Sequence, residues 1–271
     1  KEILTDFGLP GIILPDISET LDGPQENTYS KIPAGGTPLA AIAAMGGSQA
    51  TIECGATLKG QDTAGQLLAK RFGVKLFPIG LPMGLRETDL FFGLLETLAG
   101  RETPREHALE RGRLLDAFVD GHKDVFGKRA VVYGEEDLVV GMTALLAEIG
   151  VRPVLCASGG DTGRLQAAIT AVVADLLPEM PEVRGGVDFY DIAEEAQAMT
   201  PDLLLGHSKG YHLAKRWQIP LIRMGFPIHD RFGGQRLLHL GYRGAQQFLD
   251  TIINAVLAKK QADSPVGYGY L

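Results

Sequence analysis

The sequence is short of cysteine, of positive charge and of long apolar runs, and each shortage removes a class of function. Two cysteines in 271 residues, Cys54 and Cys156, form neither a disulfide framework nor a CxxC metal motif. Both lie in apolar, strand-like runs, where a buried thiol is the common case, and a cytoplasmic chain is the expectation. Lys and Arg number 26 against 33 Asp and Glu, a net charge of −7, so nucleic acid is not an expected partner. No apolar run approaches the ~20 residues that span a bilayer, so no membrane is expected either. No His, Cys or carboxylate set has clear metal-ligand spacing, and the dinucleotide fingerprint GxGxxG is missing. What the chain has in excess is glycine, 35 residues, well above the ~7% of average usage. Hydrophobic content of 45% with 22% charged residues excludes disorder.

Short apolar runs alternate with longer amphipathic stretches. Lys1 to Phe7 reads as the last turns of a helix closed by Gly8. With Lys1 first and no signal-peptide pattern, the expectation is a fragment lacking an N-terminal part. Gly11 to Leu14 is expected to be a strand, and 16–34 a long polar loop of the kind that carries function. Thr37-Pro38 is expected to cap and open a small helix. Strands are predicted at 49–54 and 74–79, and helices at 62–71 and 87–99. Thr103-Pro-Arg-Glu106 is a capping box opening a long helix to about Phe126. On it Leu115, Phe118, Val119 and His122 repeat at helical spacing, which places His122 on an apolar face; His107 reads as exposed.

Beyond Gly127, strands are predicted at 130–133, 151–157, 187–190, 202–205 and 221–224. Helices are predicted at 135–148, 163–177, 191–199, 209–217 and 246–259, before a Gly/Tyr tail at 264–271. This alternation predicts an α/β fold of two Rossmann-like, doubly wound parallel-sheet domains joined by a long helix. The expected division is 1–103, a connecting helix 104–127, and 128–271. Ligands in such sheets sit at the carboxyl ends of the strands.

Four loops there are candidates. Glu135-Glu136-Asp137 follows a strand and suits a helix N-terminus but would repel a pyrophosphate, which argues against NAD. Ser158-Gly-Gly-Asp-Thr-Gly163 offers backbone N–H groups to an anion, or is simply a tight turn. Gly206-His-Ser-Lys-Gly210 spells the G-x-S-x-G of a hydrolase nucleophile elbow. Asp230 and His239 follow in triad order, making a Ser208 hydrolase the rival reading. A strand-to-helix turn is the plainer one. Arg223, His229, Asp230, Arg231 and Arg236 fill a Gly/Pro-rich loop that could bind an anion or form an interface. In the plainer reading Asp230 pairs with an arginine to order that loop.

An ordered series of segments resembles the β-type chain of nitrogenase component 1 and its relatives. It runs through Leu14-Pro-Asp-Ile-Ser-Glu-Thr-Leu-Asp22, Ala34-Gly-Gly-Thr37, Leu81-Pro-Met-Gly-Leu85 with Thr88-Asp89, Glu110-Arg-Gly-Arg-Leu-Leu-Asp116 and Gly127-Lys-Arg129. It continues through Gly206-His-Ser-Lys-Gly210, Ile219-Pro-Leu-Ile-Arg223, Gly225-Phe-Pro-Ile-His-Asp-Arg231 and Gly241-Tyr-Arg-Gly244. The resemblance implies the family's second and third domains, an α-type (NifE- or NifD-like) partner chain, a second αβ pair and an ATP-dependent iron protein. It also implies an iron–sulfur cluster ligated outside these residues and an iron–molybdenum-type cofactor on the α-type partner. Neither Cys54 nor Cys156 matches a family ligand.

Within the family, Gly35-Gly-Thr37 and Met45-Gly-Gly-Ser-Gln-Ala-Thr51 resemble the NifN-like scaffold branch. The stretch around Leu21-Asp22 and Tyr29, and the Arg111 helix, resemble the catalytic NifK-like branch equally. Gly233-Gly-Gln235 departs from the His-rich loop of catalytic chains, and the tail through Tyr268 lacks their acidic extension. Nitrogenase-like reductases are a more distant possibility. On this resemblance His207, Ser208, Lys209, Arg223, His229, Asp230, Arg231 and Arg236 are expected to order a crevice or an interface. They would do so by hydrogen bonds and positive charge rather than metal bonds.

Overall fold

The computed structural model describes residues 1–25, 27–32 and 35–267. Ala34 and the tail from Tyr268 onward, both used above, lie outside them. The chain divides into two compact units, 1–79 with 92–104, and 80–91 with 105–271. The long helix therefore groups with the second unit.

In the first unit, α1 (Glu2–Asp6) stops at Phe7 and Gly8 takes φ +69°. Residues 11–14 form no strand. Instead the Ile13 carbonyl accepts the Thr37 hydroxyl at 2.6 Å, and Thr37 Oγ1 accepts the Asp16 N–H at 3.0 Å. Four apolar residues with no neighbouring strand to pair with remain loop. Thr37, so engaged, does not cap the next helix. α2 (Ser18–Asp22) interrupts the long loop, and α3 (Leu39–Ala44) starts after Pro38 with no side-chain cap. β1 (Ala50–Cys54) and β2 (Lys75–Ile79) pair in parallel around α4 (Ala64–Phe72). Thr63 caps α4 by accepting the Gln66 N–H, and Gly73 at φ +71° ends it. Cys54 ends β1 exposed, not buried as its strand context suggested. Residues 92–99 of α5 (Arg86–Ala99) close this unit's core, where Phe92 meets Phe7 edge-on at 5.6 Å beside buried Val74 and Leu95.

The second unit is a five-stranded sheet flanked by helices. Along the chain come α6 (Arg105–Val125), β3 (Arg129–Gly134), α7 (Glu136–Glu148), β4 (Arg152–Ser158) and α8 (Leu165–Val173). Then follow β5 (Glu182–Arg184), α9 (Phe189–Ala198), β6 (Leu203–Gly206), α10 (Tyr211–Trp217), β7 (Leu221–Arg223) and α11 (Gly241–Asp263). The spatial order is β5-β4-β3-β6-β7, with every pairing parallel. The winding reverses between β3 and β6, which makes the carboxyl ends of these two strands a topological switch point. Val131, Leu155 and Leu204 are fully or almost fully buried on one face of the sheet. The inner helix α7 is apolar nearly all round, as burial on several sides demands.

Two expectations fail here for stated reasons. No strand forms at 187–190; β5 lies earlier. Asp188 accepts the N–H groups of Tyr190 and Asp191 while Asp191 accepts that of Asp188. This reciprocal box starts α9 at Phe189 and overrides the apolar run. On α6 the buried stripe is Leu114, Gly121 and Val125. Leu115 and Val119 face outward, and exposed His122 packs on Phe126 at 4.7 Å. His107, expected outside, is buried with Nδ1 3.1 Å from Glu110, which also accepts Arg243 Nε at 2.8 Å.

Two carboxylates tie helices of this unit together. Asp89 accepts Arg111 Nε and Nη2 at 2.8 and 2.7 Å and the Tyr242 hydroxyl at 2.7 Å. Glu148, at the end of α7, accepts the Leu85 and Arg86 N–H groups at 2.7 and 2.9 Å, capping α5. Burial raises the Glu148 carboxyl to about 7.

Candidate functional site at the carboxyl ends of the sheet

The three loops leaving β3, β4 and β6 meet at the switch point. Each shows why its sequence looks as it does. After β3, Glu135 caps α7 by accepting the Leu138 N–H at 3.1 Å. The next residue, Glu136, is buried and reaches into the loop after β4, taking the Thr162 N–H at 3.0 Å and the Thr162 hydroxyl at 2.5 Å. Gly160 N–H turns back to Ser158 Oγ at 3.0 Å. The glycine loop at 158–163 is thus tied from within, by Glu136 on Thr162 and Ser158 on Gly160.

After β6, the two glycines of the 206–210 pentapeptide answer to Tyr133. Gly206 sits at φ +150°, and a Cβ there would lie 2.4 Å from the Tyr133 carbonyl oxygen. A Cβ on Gly210 would lie 2.2 Å from the Tyr133 hydroxyl. The Tyr133 ring fills this space and its hydroxyl donates to the His207 carbonyl. Burial raises the phenol well above its usual range.

Ser208 Oγ donates to Asp230 Oδ1 at 2.5 Å and accepts the His229 N–H at 2.9 Å. His239 packs edge-on against Phe248 at 5.5 Å, and burial lowers its pKa. A triad needs an imidazole between serine and acid; here the acid bonds the serine directly, so the nucleophile-elbow reading is set aside. Asp230 is gripped from the other side by Arg223, Nε to Oδ1 at 2.8 Å and Nη2 to Oδ2 at 2.6 Å. This fork, with Ser208, holds the Asp230 carboxyl far below the usual range. Arg231 donates to the Asp230 carbonyl at 2.5 Å, and Arg236 lies 5.1 Å from the exposed Phe232 ring. Ser208, Arg223, His229, Asp230 and Arg231 are therefore brought together as one loop-ordering network, while Arg236 stacks separately.

His207 and Lys209 point elsewhere, to a crevice of about 180 Å³ walled by Tyr133, Phe189 and Ile192. The His207 ring packs edge-on against Tyr133 at 5.1 Å and Phe189 at 5.7 Å. Burial first, and Lys209 second, lower its pKa. Gly159 lies in the 158–163 loop singled out from sequence, whereas Phe189 was missed; the available signal was its position just beyond a strand end, under the switch-point rule.

Comparison with known proteins places this geometry. The family model described as nitrogenase component 1 type oxidoreductase matches residues 1–257. The chain belongs to the nitrogenase component 1 family. Among its β-type relatives, the nitrogenase molybdenum-iron protein beta chain of Clostridium pasteurianum is 30% identical over 259 residues, 96% of this chain and 56% of the relative. The nitrogenase iron-molybdenum cofactor biosynthesis protein NifN of Nostoc sp. is 32% identical over 263 residues, 97% of this chain and 55% of the relative. A solved structure described as nitrogenase Cp1 at pH 6.5 superimposes with TM-score 0.94 at 28% identity, covering all of this chain and 59% of that one. The chain spans about half the length of the curated relatives it matches.

The donors described do not fit a metal cluster of the kind this family implies. Among the described residues no group of three or more His, Cys, Asp or Glu is placed to hold a metal ion. The Cys156 sulfur lies 3.2 Å from the Thr143 hydroxyl and burial pushes the thiol up to about 12, whereas a ligand must be thiolate. Cys54 lies in the first unit, exposed at a strand end. No helix among the described residues is long and apolar enough to cross a membrane.

Proposed function

We propose that this chain is the β-type subunit of a cytoplasmic nitrogenase component 1-type complex. In this reading it works with an α-type partner and a second αβ pair to support iron–molybdenum-type cofactor assembly, as a NifN-like scaffold. The observation that carries the family part is the match across residues 1–257. The scaffold role is supported by Gly233-Gly-Gln235, which stands where catalytic chains resemble one another in a His-rich loop. Here a glycine at φ +77° and the stacked Arg236 shape that segment. The cluster and cofactor would supply the electron chemistry, on ligands outside the described residues. This chain's own residues supply order. The Arg223–Asp230–Ser208 network fixes the 225–236 loop against the end of β6, and Arg231 and Arg236 present positive charge to a partner carboxylate or an anionic group. The alternative is a catalytic β chain served by an ATP-dependent iron protein, favoured by beta chains matching over the same span as NifN.

The test is anaerobic co-expression of the full-length chain with its α-type partner, followed by iron per αβ pair and acetylene reduction with iron protein, ATP and reductant. Bound iron, little turnover and an ability to activate cofactor-free component 1 are expected. Rapid reduction would replace the scaffold with the catalytic role. A chain that binds no iron and forms no stable pair would overturn both.

A further inference from the structure

We propose that α3 and the loop leading into it form the seat for the part of the full-length chain that precedes Lys1. Helix α3 (Leu39–Ala44) reads Leu-Ala-Ala-Ile-Ala-Ala, and none of its residues is buried. Leu39 is 84% exposed, and in the loop ahead of it Tyr29 and Ile32 are 91% and 86% exposed. No charged residue lies between Lys31 and Glu53. A helix that is apolar all round belongs in an interior, and a bare apolar surface of this kind marks an interaction site.

The helix is fixed at both ends while its own side chains stay uncovered. Six residues are too few to hold a helix on propensity alone. At its start, Thr37 donates to the Ile13 carbonyl and accepts the Asp16 N–H. At its far end, a Cβ on Gly46 would lie 2.8 Å from the Phe72 ring of α4. α3 is therefore a platform, positioned by its neighbours in the first unit and left open along its length.

Length and attachment name the occupant. This chain covers 56% and 55% of the curated relatives, so a little under half of a chain of that length lies outside these residues. The resemblance to the family's second and third domains puts that part ahead of Lys1. Lys1 is itself tied to this surface. Its ammonium pairs with Asp16 and donates to Ser18 Oγ at 3.2 Å, and the Asp16 N–H is the group bonded to Thr37. A Cβ on Gly11 would lie 2.7 Å from the Leu4 side chain, so α1 runs against the same segment. Residues ahead of Lys1 thus enter beside α3, and their tether gives them an effective concentration that a separate chain lacks. The absence of charge fits a permanently covered surface rather than a transient one. The inference rests on family membership and not on the scaffold role.

The test puts the photo-cross-linker p-benzoylphenylalanine in place of Leu39 or, separately, of Tyr29 in the full-length chain. The protein is purified alone and with its α-type partner, and the cross-linked peptides are read by mass spectrometry. Cross-links to residues ahead of Lys1 are expected in both preparations. Cross-links to the α-type chain or to a second copy, or none at all, overturn the proposal. A second variant, Ala43→Glu, keeps helix propensity. It would be silent on a bare helix but places a carboxylate under the covering segment. In the full-length chain it should speed proteolytic cleavage ahead of Lys1 about tenfold. An unchanged cleavage rate in a variant shown by near-UV circular dichroism to be folded overturns the proposal as well. If that variant does not fold, the cross-links decide. Iron content and acetylene reduction enter none of these readouts, so failure of the proposed function and failure of this inference are told apart.

Discussion

Gly206 and Gly210 carried the strongest enzymatic signature in the sequence, and their reason turns out to be steric. Tyr133 occupies the volume their side chains would need. Gly206→Ala, which adds a Cβ 2.4 Å from a backbone oxygen at φ +150°, should destabilise the second unit by roughly 3 kcal/mol or more, read from the urea midpoint. Nothing in a pentapeptide reveals that a residue some seventy positions upstream dictates its glycines. That is why the motif was legible and its meaning was not. Asp230 is the other residue whose role needed three dimensions. Its carboxyl pKa is depressed by Arg223, so its contribution to stability is present above the ordinary carboxylate pKa and fades as pH falls through the lowered value. Asp230→Ala leaves the largely buried Arg223 guanidinium without its fork and should cost about 2 kcal/mol at neutral pH. The acid limb of stability against pH should move in the same variant.

At the scale of elements, the strands and helices of 128–271 were legible because apolar runs, glycine stops and acidic helix starts all agreed there. The misplacements came where a local side-chain pair outweighed the apolar pattern. Asp188 and Asp191 built a helix start in a presumed strand, and Thr37 tied two loops in place of capping a helix. The α6 stripe was displaced by one residue because Leu114 and Leu115 are adjacent, and only the packing of α11 on α6 chooses between them. Glu148 is an element-scale device, invisible from the sequence because its partners lie 62 and 63 residues away. Its carboxyl is raised from 4.5 to about 7. Its contribution is therefore fully present below the unfolded value and is lost as pH rises through about 7. Between pH ~5 and ~8 the wild-type protein should lose roughly 2–3 kcal/mol relative to Glu148→Gln, by urea denaturation at matched ionic strength. On α11, Tyr242→Phe removes one donor to Asp89 and should cost about 1 kcal/mol with no change in pH profile over that range.

For the whole molecule, family membership was readable because many short segments recur in one order, a signal that no single motif carries. The crevice was readable only as a region, the carboxyl edge of a parallel sheet, since its walls come from separate loops. The two cysteines report on the two units independently. Cys54 is exposed and Cys156 is buried with a thiol pushed up to about 12. In the isolated chain, maleimide at neutral pH should modify Cys54 within minutes, and Cys156 only after denaturant has opened the second sheet. Equal labelling of both in the native chain would contradict the packing around Thr143.

The order β5-β4-β3-β6-β7 also fixes a timetable. β3 is the middle strand of this sheet, yet it is the first of the five to leave the ribosome. β4 follows soon after, but β6 pairs with it only about 70 residues later. At ~5–20 residues per second that is a delay of several seconds. During it one edge of the apolar run Ala130-Val-Val-Tyr133 stands open beside a helix, α7, that is buried in the finished fold. The nascent chain carries its greatest aggregation hazard in that interval, and a pause in translation between β4 and β6 would lengthen it.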